Sequence, residues 1–321
     1  MDPLSDVLRA VRLTGAYFYM VEGAPGWSVA TSPARELAPR ILPGAEHLVP
    51  YHILSEGTCW GGLHGEPRVH MQPGDVLMFP RGDAHVMSGQ PRDAADPTLE
   101  TRAPGPYPST VRVGSGQHDT VLMSGFLGCD VGPFNPLLGA LPRMLHLANI
   151  GGGWLSTLPE QVRREWRDPK PGSATVLTRL AEVMFIEVLR QHIATIGIEQ
   201  RGWLAGLRDP LVGAALSALH ARPAHPWTLH ELASEVAASR SVLAERFGEI
   251  VGVPPMQYLM HWRLQLAADQ LRRTRAKVSA IAAKVGYSSE AAFSRAFKRA
   301  TGVSPGAYRT RQQADGHAAT T

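Results

Sequence analysis

Ile281-Ala282-Ala283-Lys284-Val285-Gly286-Tyr287-Ser288-Ser289-Glu290-Ala291-Ala292-Phe293-Ser294-Arg295-Ala296-Phe297 decides how this chain is read, because much of its frame has already occurred once. Leu232, Ala233 and Val236 precede Ile281, Ala282 and Val285 by 49 residues. Leu243, Phe247, Gly252, Val253, Pro255 and Tyr258 precede Phe293, Phe297, Gly302, Val303, Pro305 and Tyr308 by 50. The register slips by one where Ala237-Ala238 is matched by Gly286-Tyr287-Ser288. Self-similarity at a fixed period marks a repeated supersecondary unit. Each copy reads as a short helix, a tight turn and a second helix.

In the first copy Thr228, with Glu231 three residues on, forms a capping box. Leu229, Leu232, Ala233 and Val236 make the inner face of that helix. Ser239 caps the next one, which Leu243, Phe247 and Ile250 hold inward, leaving Arg240, Ser241, Ala244, Glu245 and Arg246 facing out. In the second copy Val278, Ile281, Ala282 and Val285 face inward, and Gly286 supplies the left-handed position a tight turn needs. Ser288 or Ser289 caps the following helix, in which Phe293 and Phe297 form the core and Glu290, Ala291, Ser294, Arg295, Lys298 and Arg299 point away. Pro254-Pro255 start a spacer helix through about Arg273, roughly 27 Å long at 1.5 Å per residue.

Paired helix-turn-helix units place their second helices in the major groove, and such a spacer holds them about one DNA turn (~34 Å) apart. The expected DNA-facing set is therefore Arg240, Ser241, Ala244, Glu245, Glu290, Ala291, Ser294, Arg295 and Lys298. Arg295 is the candidate for bidentate contact with guanine, Ser294 for a base edge or phosphate, and Glu245 for cytosine N4. Arg240, Lys298, Arg299 and Arg311 suit phosphate contacts, which set affinity and salt dependence. Charge agrees: residues 221–321 hold 14 Lys/Arg against 7 Asp/Glu, whereas residues 1–220 hold 18 against 21. The repeat thus lies on the cationic segment, as a polyanion-binding module requires.

A hydrophobic content of 44% with 19% charged residues over 321 residues describes a globular chain with room for two or three domains. No run of about 18 apolar residues is present, so no membrane span is expected. Met1-Asp2-Pro3-Leu4-Ser5-Asp6 lacks the basic and apolar regions of a secretory signal, and a cytoplasmic location is expected. Cys59 and Cys129 cannot build a disulfide framework; both are expected reduced and at least partly buried.

Residues 1–130 read as mostly β after a short opening helix over Val7–Val11. Tyr17-Phe18-Tyr19-Met20-Val21 is of strand type, and the turns Pro73-Gly74-Asp75 and Pro80-Arg81-Gly82-Asp83 precede Val76-Leu77-Met78-Phe79 and His85-Val86-Met87. Residues 91–119, with five Pro and three Gly, read as a mobile surface loop. Strand character returns at Thr120-Val121-Leu122-Met123. Helices are expected from Asn135-Pro136 through Leu145, over Pro159–Trp166 and over Ala174–Thr195. The last carries a broad apolar stripe that fits either packing within its own domain or a dimer contact. Asp209 caps a further helix, with Pro210 at its first position.

The second copy, from Ile281-Ala282 through Gly286-Tyr287-Ser288-Ser289 and Phe293-Ser294-Arg295-Ala296-Phe297-Lys298 to Gly302-Val303-Ser304-Pro305 and Tyr308-Arg309, resembles the signature stretch of AraC/XylS-type transcription regulators. The resemblance spans about residues 209–313. The first copy departs at Ala244-Glu245-Arg246-Phe247, where an acid replaces the usual polar contact residue. Tyr51-His52, Pro73-Gly74-Asp75-Val76, Phe79-Pro80-Arg81-Gly82-Asp83-Ala84-His85 and Asn135-Pro136-Leu137-Leu138 resemble the cupin-type N-terminal domain of a subset of these regulators. The fold implied is multidomain α+β: a cupin-like β-barrel followed by an all-α domain with two helix-turn-helix units. The division expected is a sensory domain over 1–133, a helical linker and dimerisation segment over 134–208, a DNA-binding domain over 209–313 and a disordered tail over 314–321. Double-stranded promoter or operator DNA, a small-molecule effector and a second copy of the chain are the implied partners, with RNA polymerase a further candidate; no cofactor is expected.

Cupins also include metal-dependent enzymes, so a cupin enzyme fused to a DNA-binding module is the alternative. His47, His52, His64, His70 and His85 offer donors. The spacing His-x-His does not occur, and no metal site is assigned. Strand alternation would let His52, His64 and His85 gather with Cys59 as an effector site. Cys59 or Cys129 would serve as a redox sensor if a thiolate were favoured by exposure and positive charge.

Overall fold

The computed structural model describes residues 2–11, 13–91, 99–100, 109–130, 132–148, 157–197 and 199–318. The chain folds into two compact units that do not follow sequence order. One comprises Leu13–Asp130 and Leu141–Ala194; the other comprises Met1–Arg12, Val131–Ala140 and Thr195–Thr321.

The first unit holds β1 (Leu13–Gly23), β2 (Ser28–Thr31), α2 (Ala34–Ile41), β3 (His47–Glu56), β4 (Cys59–Leu63), β5 (Val69–Met71), β6 (Val76–Met78), β7 (His85–Ser88), β8 (Leu99–Glu100), β9 (Thr110–Val113), β10 (Thr120–Cys129), β11 (Leu145–Leu147), α4 (Leu158–Arg167) and nearly all of α5 (Ser173–Thr195). Its strands form a six-stranded sheet, β11-β6-β3-β10-β1-β9, and a five-stranded sheet, β5-β4-β7-β2-β8. Alternation along β3 and β10 turns Leu48, His52, Leu54, Leu122, Ser124 and Phe126 to one face, where most of them join a core with Cys59, Met71, Leu77, Phe79 and Met87. The core is filled by side chains. At Gly61 a Cβ would come within 2.4 Å of Leu77 Cδ2, so a larger residue there would make the Leu77 and Met87 side chains shift.

Two local expectations fail, and one helix lies where the sequence reading places no element. The helix expected from Asn135 to Leu145 stops at Ala140, and Leu145–Leu147 pairs with β6 instead; Pro142 cannot continue the helix and forces Leu141 out of it. The segment 91–119 is not simply a loop, since β9 pairs in parallel with Met20–Gly23; residues 92–98 and 101–108 lie outside the described residues. Helix α2, which the sequence reading does not place, buries Ala34, Leu37, Ala38 and Ile41 on one face despite Pro33 before it and Pro39 inside it.

The second unit is helical: α1 (Pro3–Val11), α3 (Pro136–Ala140), α6 (Trp203–Arg208), α7 (Pro210–Ala221), α8 (Leu229–Glu235), α9 (Arg240–Val251), α10 (Pro255–Arg273), α11 (Val278–Lys284), α12 (Glu290–Thr301) and α13 (Pro305–Ala318). Helix α7 packs on α8 and α9, and a second core gathers Leu264, Ala268, Leu271, Ile281, Val285, Phe293 and Phe297. Inclusion of the N-terminal helix and of residues 131–140 departs from the linear division at residue 133. Helix α1 packs on α7 and α10 and α3 on α6, and both segments also meet Gln265, fully buried on α10. Its Nε2 donates to the Ala10 carbonyl at 3.3 Å, and its Oε1 accepts from the Phe134 N–H at 3.1 Å. The expected tail from 314 continues α13 to Ala318, in keeping with the helix preference of Gln312, Gln313 and Ala314; residues 319–321 lie outside the described residues.

Candidate nucleic-acid interface

The repeats share a left-handed turn, a serine cap on the second helix and a glycine end, and only the first opens on a capping box. Thr228 Oγ1 accepts from Glu231 N at 3.1 Å while Glu231 Oε2 accepts from Thr228 N at 2.9 Å, which starts α8. Ala237 then turns the chain at φ +53°, and Gly286 does so at φ +90° between α11 and α12. Ser239 Oγ accepts from Val242 N at 3.3 Å and Ser289 Oγ from Ala292 N at 3.2 Å, so Ser289, not Ser288, is the cap. Gly252 and Gly302 end α9 and α12 in left-handed conformations. The result is two second helices of 12 residues with matched starts and ends.

Leu243 and Phe247 on α9, and Phe293 and Phe297 on α12, are fully buried. Arg240, Ser241 and Glu245 are exposed and Ala244 is half-buried. On α12 Glu290, Ala291, Arg295, Lys298 and Arg299 are exposed and Ser294 is half-buried. The open faces differ in charge. Helix α12 offers Arg295, Lys298 and Arg299 against Glu290, whereas α9 sets Glu245 and Glu249 against Arg240. Arg246 faces outward, as the sequence reading has it, and is also held by its own unit. Its Nε and Nη2 donate to Asp209 Oδ2 at 3.0 and 2.9 Å, while Oδ1 of the same carboxylate caps α7 at Leu211 N and Val212 N. Beside α12 lies a cleft of about 470 Å³ lined by Trp227, Met260, Arg263, Tyr287, Arg295 and Arg299. Arg263 anchors it, donating to the Pro223 and His225 carbonyls at 2.6 and 2.7 Å.

In the sheet unit the structure brings together two of the five effector candidates. His52 Nε2 and His85 Nε2 are 2.9 Å apart, His52 Nδ1 is 2.8 Å from Ser124 Oγ, and His85 Nδ1 is 2.9 Å from the Asp83 carbonyl. A carbonyl only accepts, so His85 carries its proton on Nδ1 and accepts on Nε2. His52 then donates from Nε2 and accepts from the Ser124 hydroxyl, giving a satisfied neutral chain. Phe79 stacks on His85 at 3.9 Å. Burial lowers the His85 imidazole to about 4 and pushes His52 well down. His64 is exposed, although its backbone N–H donates to the Ala84 carbonyl at 3.1 Å, next to His85. Cys59 and Cys129 are buried, and burial pushes both thiols up to about 12. Neither cysteine is set up as a thiolate. Among the described residues no three His, Cys, Asp or Glu side chains are gathered for a metal ion. Ser124, and Phe79 as a neighbour of the pair, are not among the sequence-read site residues, because only strand register reveals which residues face His52 and His85.

Residues 2–194 match a cupin family model and residues 232–311 a helix-turn-helix domain model. A putative AraC-like transcription regulator of Streptomyces antibioticus is 34% identical over 96% of this chain and 98% of its own length. One from Streptomyces lividans is 35% identical over the same shares. The HTH-type transcriptional regulator AlkR of Acinetobacter baylyi is 32% identical over 96% of this chain and 99% of its own. The chain belongs to the AraC-like transcription regulators that carry an N-terminal cupin domain. It is a DNA-binding regulator of transcription. Among the described residues no helix is long and apolar enough to cross a membrane.

Proposed function

We propose that α9 and α12 read two successive major-groove segments of an operator, and that a small molecule held by the N-terminal unit controls this binding. The observation that carries the reading is the pair of matched, capped second helices whose cores are buried and whose polar faces are open. In this reading Arg295 pairs with a guanine, Ser294 and Ala291 border the same bases, and Glu290 sits at the helix start. Glu245 accepts from cytosine beside Ser241 and Ala244, while Arg240, Lys298 and Arg299 meet phosphates. The asymmetry in charge assigns most of the affinity to the second unit and much of the discrimination in the first to Glu245.

The effector reading favours reversible binding over thiol chemistry, because both cysteines are buried and protonated. In the sheet unit a cleft of about 570 Å³ at the loops between strands, lined by Trp27, Thr58, Gln72, Gln90, Asp119 and Thr120, suits a polar molecule. Helix α5 supports a homodimer: Val176 and Val183 are each 43% exposed, and Leu180 lies half-buried between them on the same stripe. The test is competition binding of the full chain to duplexes enriched from a random pool. A marked preference for enriched over random duplex supports the reading; equal affinity for both removes it.

A further inference from the structure

A cavity of about 240 Å³ in the helical unit is lined by residues of α1, α7 and α10, and three of them present buried polar atoms with no hydrogen-bond partner among the described residues: His220 Nδ1, Trp262 Nε1 and Asp269 Oδ1. Folded proteins leave few such atoms, and each one calls for a water, an ion or a ligand. Three around one cavity define its chemistry.

The proton positions follow from the neighbours. Trp203 Nε1–H donates to the Tyr258 oxygen at 2.7 Å, and the phenol gives its single proton to His220 Nε2, also at 2.7 Å. Burial holds His220 down at about 3, so the imidazole is neutral and its one proton is on Nδ1. That N–H faces Asp6 Oδ2 at 3.7 Å, too far for a hydrogen bond. The Trp262 indole nitrogen is a donor only, and its ring stacks on His220 at 4.3 Å. The stacked pair therefore contributes two unanswered N–H donors. Asp269 has Oδ2 3.5 Å from Arg273 Nη1 and leaves Oδ1 unanswered.

The wall carries two acids, Asp6 and Asp269, and two bases, Arg9 and Arg273, so the formal charges cancel. A simple anion would answer the two N–H groups and leave Asp269 Oδ1 unmet; a simple cation would do the reverse. A molecule with a carboxylate at one end and an ammonium at the other answers all three. The volume lies below the roughly 300–1,000 Å³ of sites for drug-sized ligands. We propose that this cavity is an effector site for a small zwitterion of amino-acid size, its carboxylate taking the His220 and Trp262 N–H groups and its ammonium the Asp269 carboxylate. The inference rests on the chain being an effector-responsive regulator. Bound there, the molecule ties the N-terminal helix to α10, the spacer between the two repeats, and favours whichever arrangement of α1 completes the site.

The test is calorimetric titration of the full chain with each of the standard L-amino acids, followed by Trp262→Phe, Asp269→Asn and the methyl ester of any amino acid that binds. One or a few amino acids should bind and raise the thermal midpoint. Trp262→Phe keeps the stacked ring but loses the donor, and should weaken binding about tenfold or more, as should Asp269→Asn. The ester should fail on the unaltered protein, which keeps the test independent of any folding defect in a variant. Absence of binding by every amino acid overturns the proposal and leaves the cavity to ordered water, as does binding that neither the variants nor esterification disturb. Operator preference of the same preparation is measured alongside. If it is intact while no amino acid binds, only this inference falls; if it is lost too, the regulator reading fails with it.

Discussion

Ala237 occupies in the first helix-turn-helix unit the position that Gly286 occupies in the second, and both backbones are left-handed, at φ +53° and +90°. A Cβ makes that conformation costly, by roughly 1–2 kcal/mol for an L-residue. Ala237→Gly should therefore raise stability, by about 1 kcal/mol after the greater flexibility of the unfolded glycine is counted. The reverse change, Gly286→Ala, should destabilise by more, since its Cβ would lie 2.8 Å from the Ala224 backbone. Urea unfolding of both variants checks the sign and the order.

Asp209 serves α7 and α9 at once, capping the first and holding Arg246 of the second. Asp209→Ala should cost about 1–2 kcal/mol, the sum of a lost N-cap and a surface ion pair. Arg246→Ala should leave discrimination between operators unchanged, because the guanidinium is engaged with Asp209. A full DNA affinity loss in Arg246→Ala with normal stability would assign Arg246 to the interface after all.

The His52–His85 pair makes the sheet unit sensitive to acid. Both imidazoles lie below their ordinary value of 6.5, His85 at about 4, because burial disfavours the charged form. Between those pH values the unfolded chain binds protons that the folded one excludes. Stability is thus full above about pH 6.5 and falls as the pH drops towards about 4. The double change His52→Leu/His85→Leu should flatten that slope relative to the unaltered protein, as read by unfolding midpoints at a series of pH values.

The repeat was legible in the sequence because its signal is local: capping residues, a left-handed turn and apolar spacings all lie within about twenty residues of each other. Thr228, Glu231, Ser239, Leu243, Phe247, Phe293 and Phe297 sit where that pattern puts them. What it could not carry is long-range. Arg246 looks like any outward residue until Asp209, 37 positions earlier, is found beside it. Gln265 reads as one more polar residue of a surface helix, yet it is fully buried and joins Ala10 to Phe134. The pairing of His52 with His85, and the burial of His220 and Trp262 around one cavity, depend on packing between elements far apart in the chain. Pro142 is the local exception, since it ends the helix at Ala140 and frees Leu145–Leu147 to pair with β6.

The central claim is tested most directly by comparing the base preferences of the full chain and of Arg295→Ala on duplexes enriched from a random pool. Two preferred segments about one helical turn (~34 Å) apart are predicted for the unaltered protein. Arg295→Ala should lose about 1–3 kcal/mol of discrimination at a single guanine in one segment, with the other segment unaffected. One preferred segment alone, or an Arg295→Ala variant that keeps every base preference, would contradict the account.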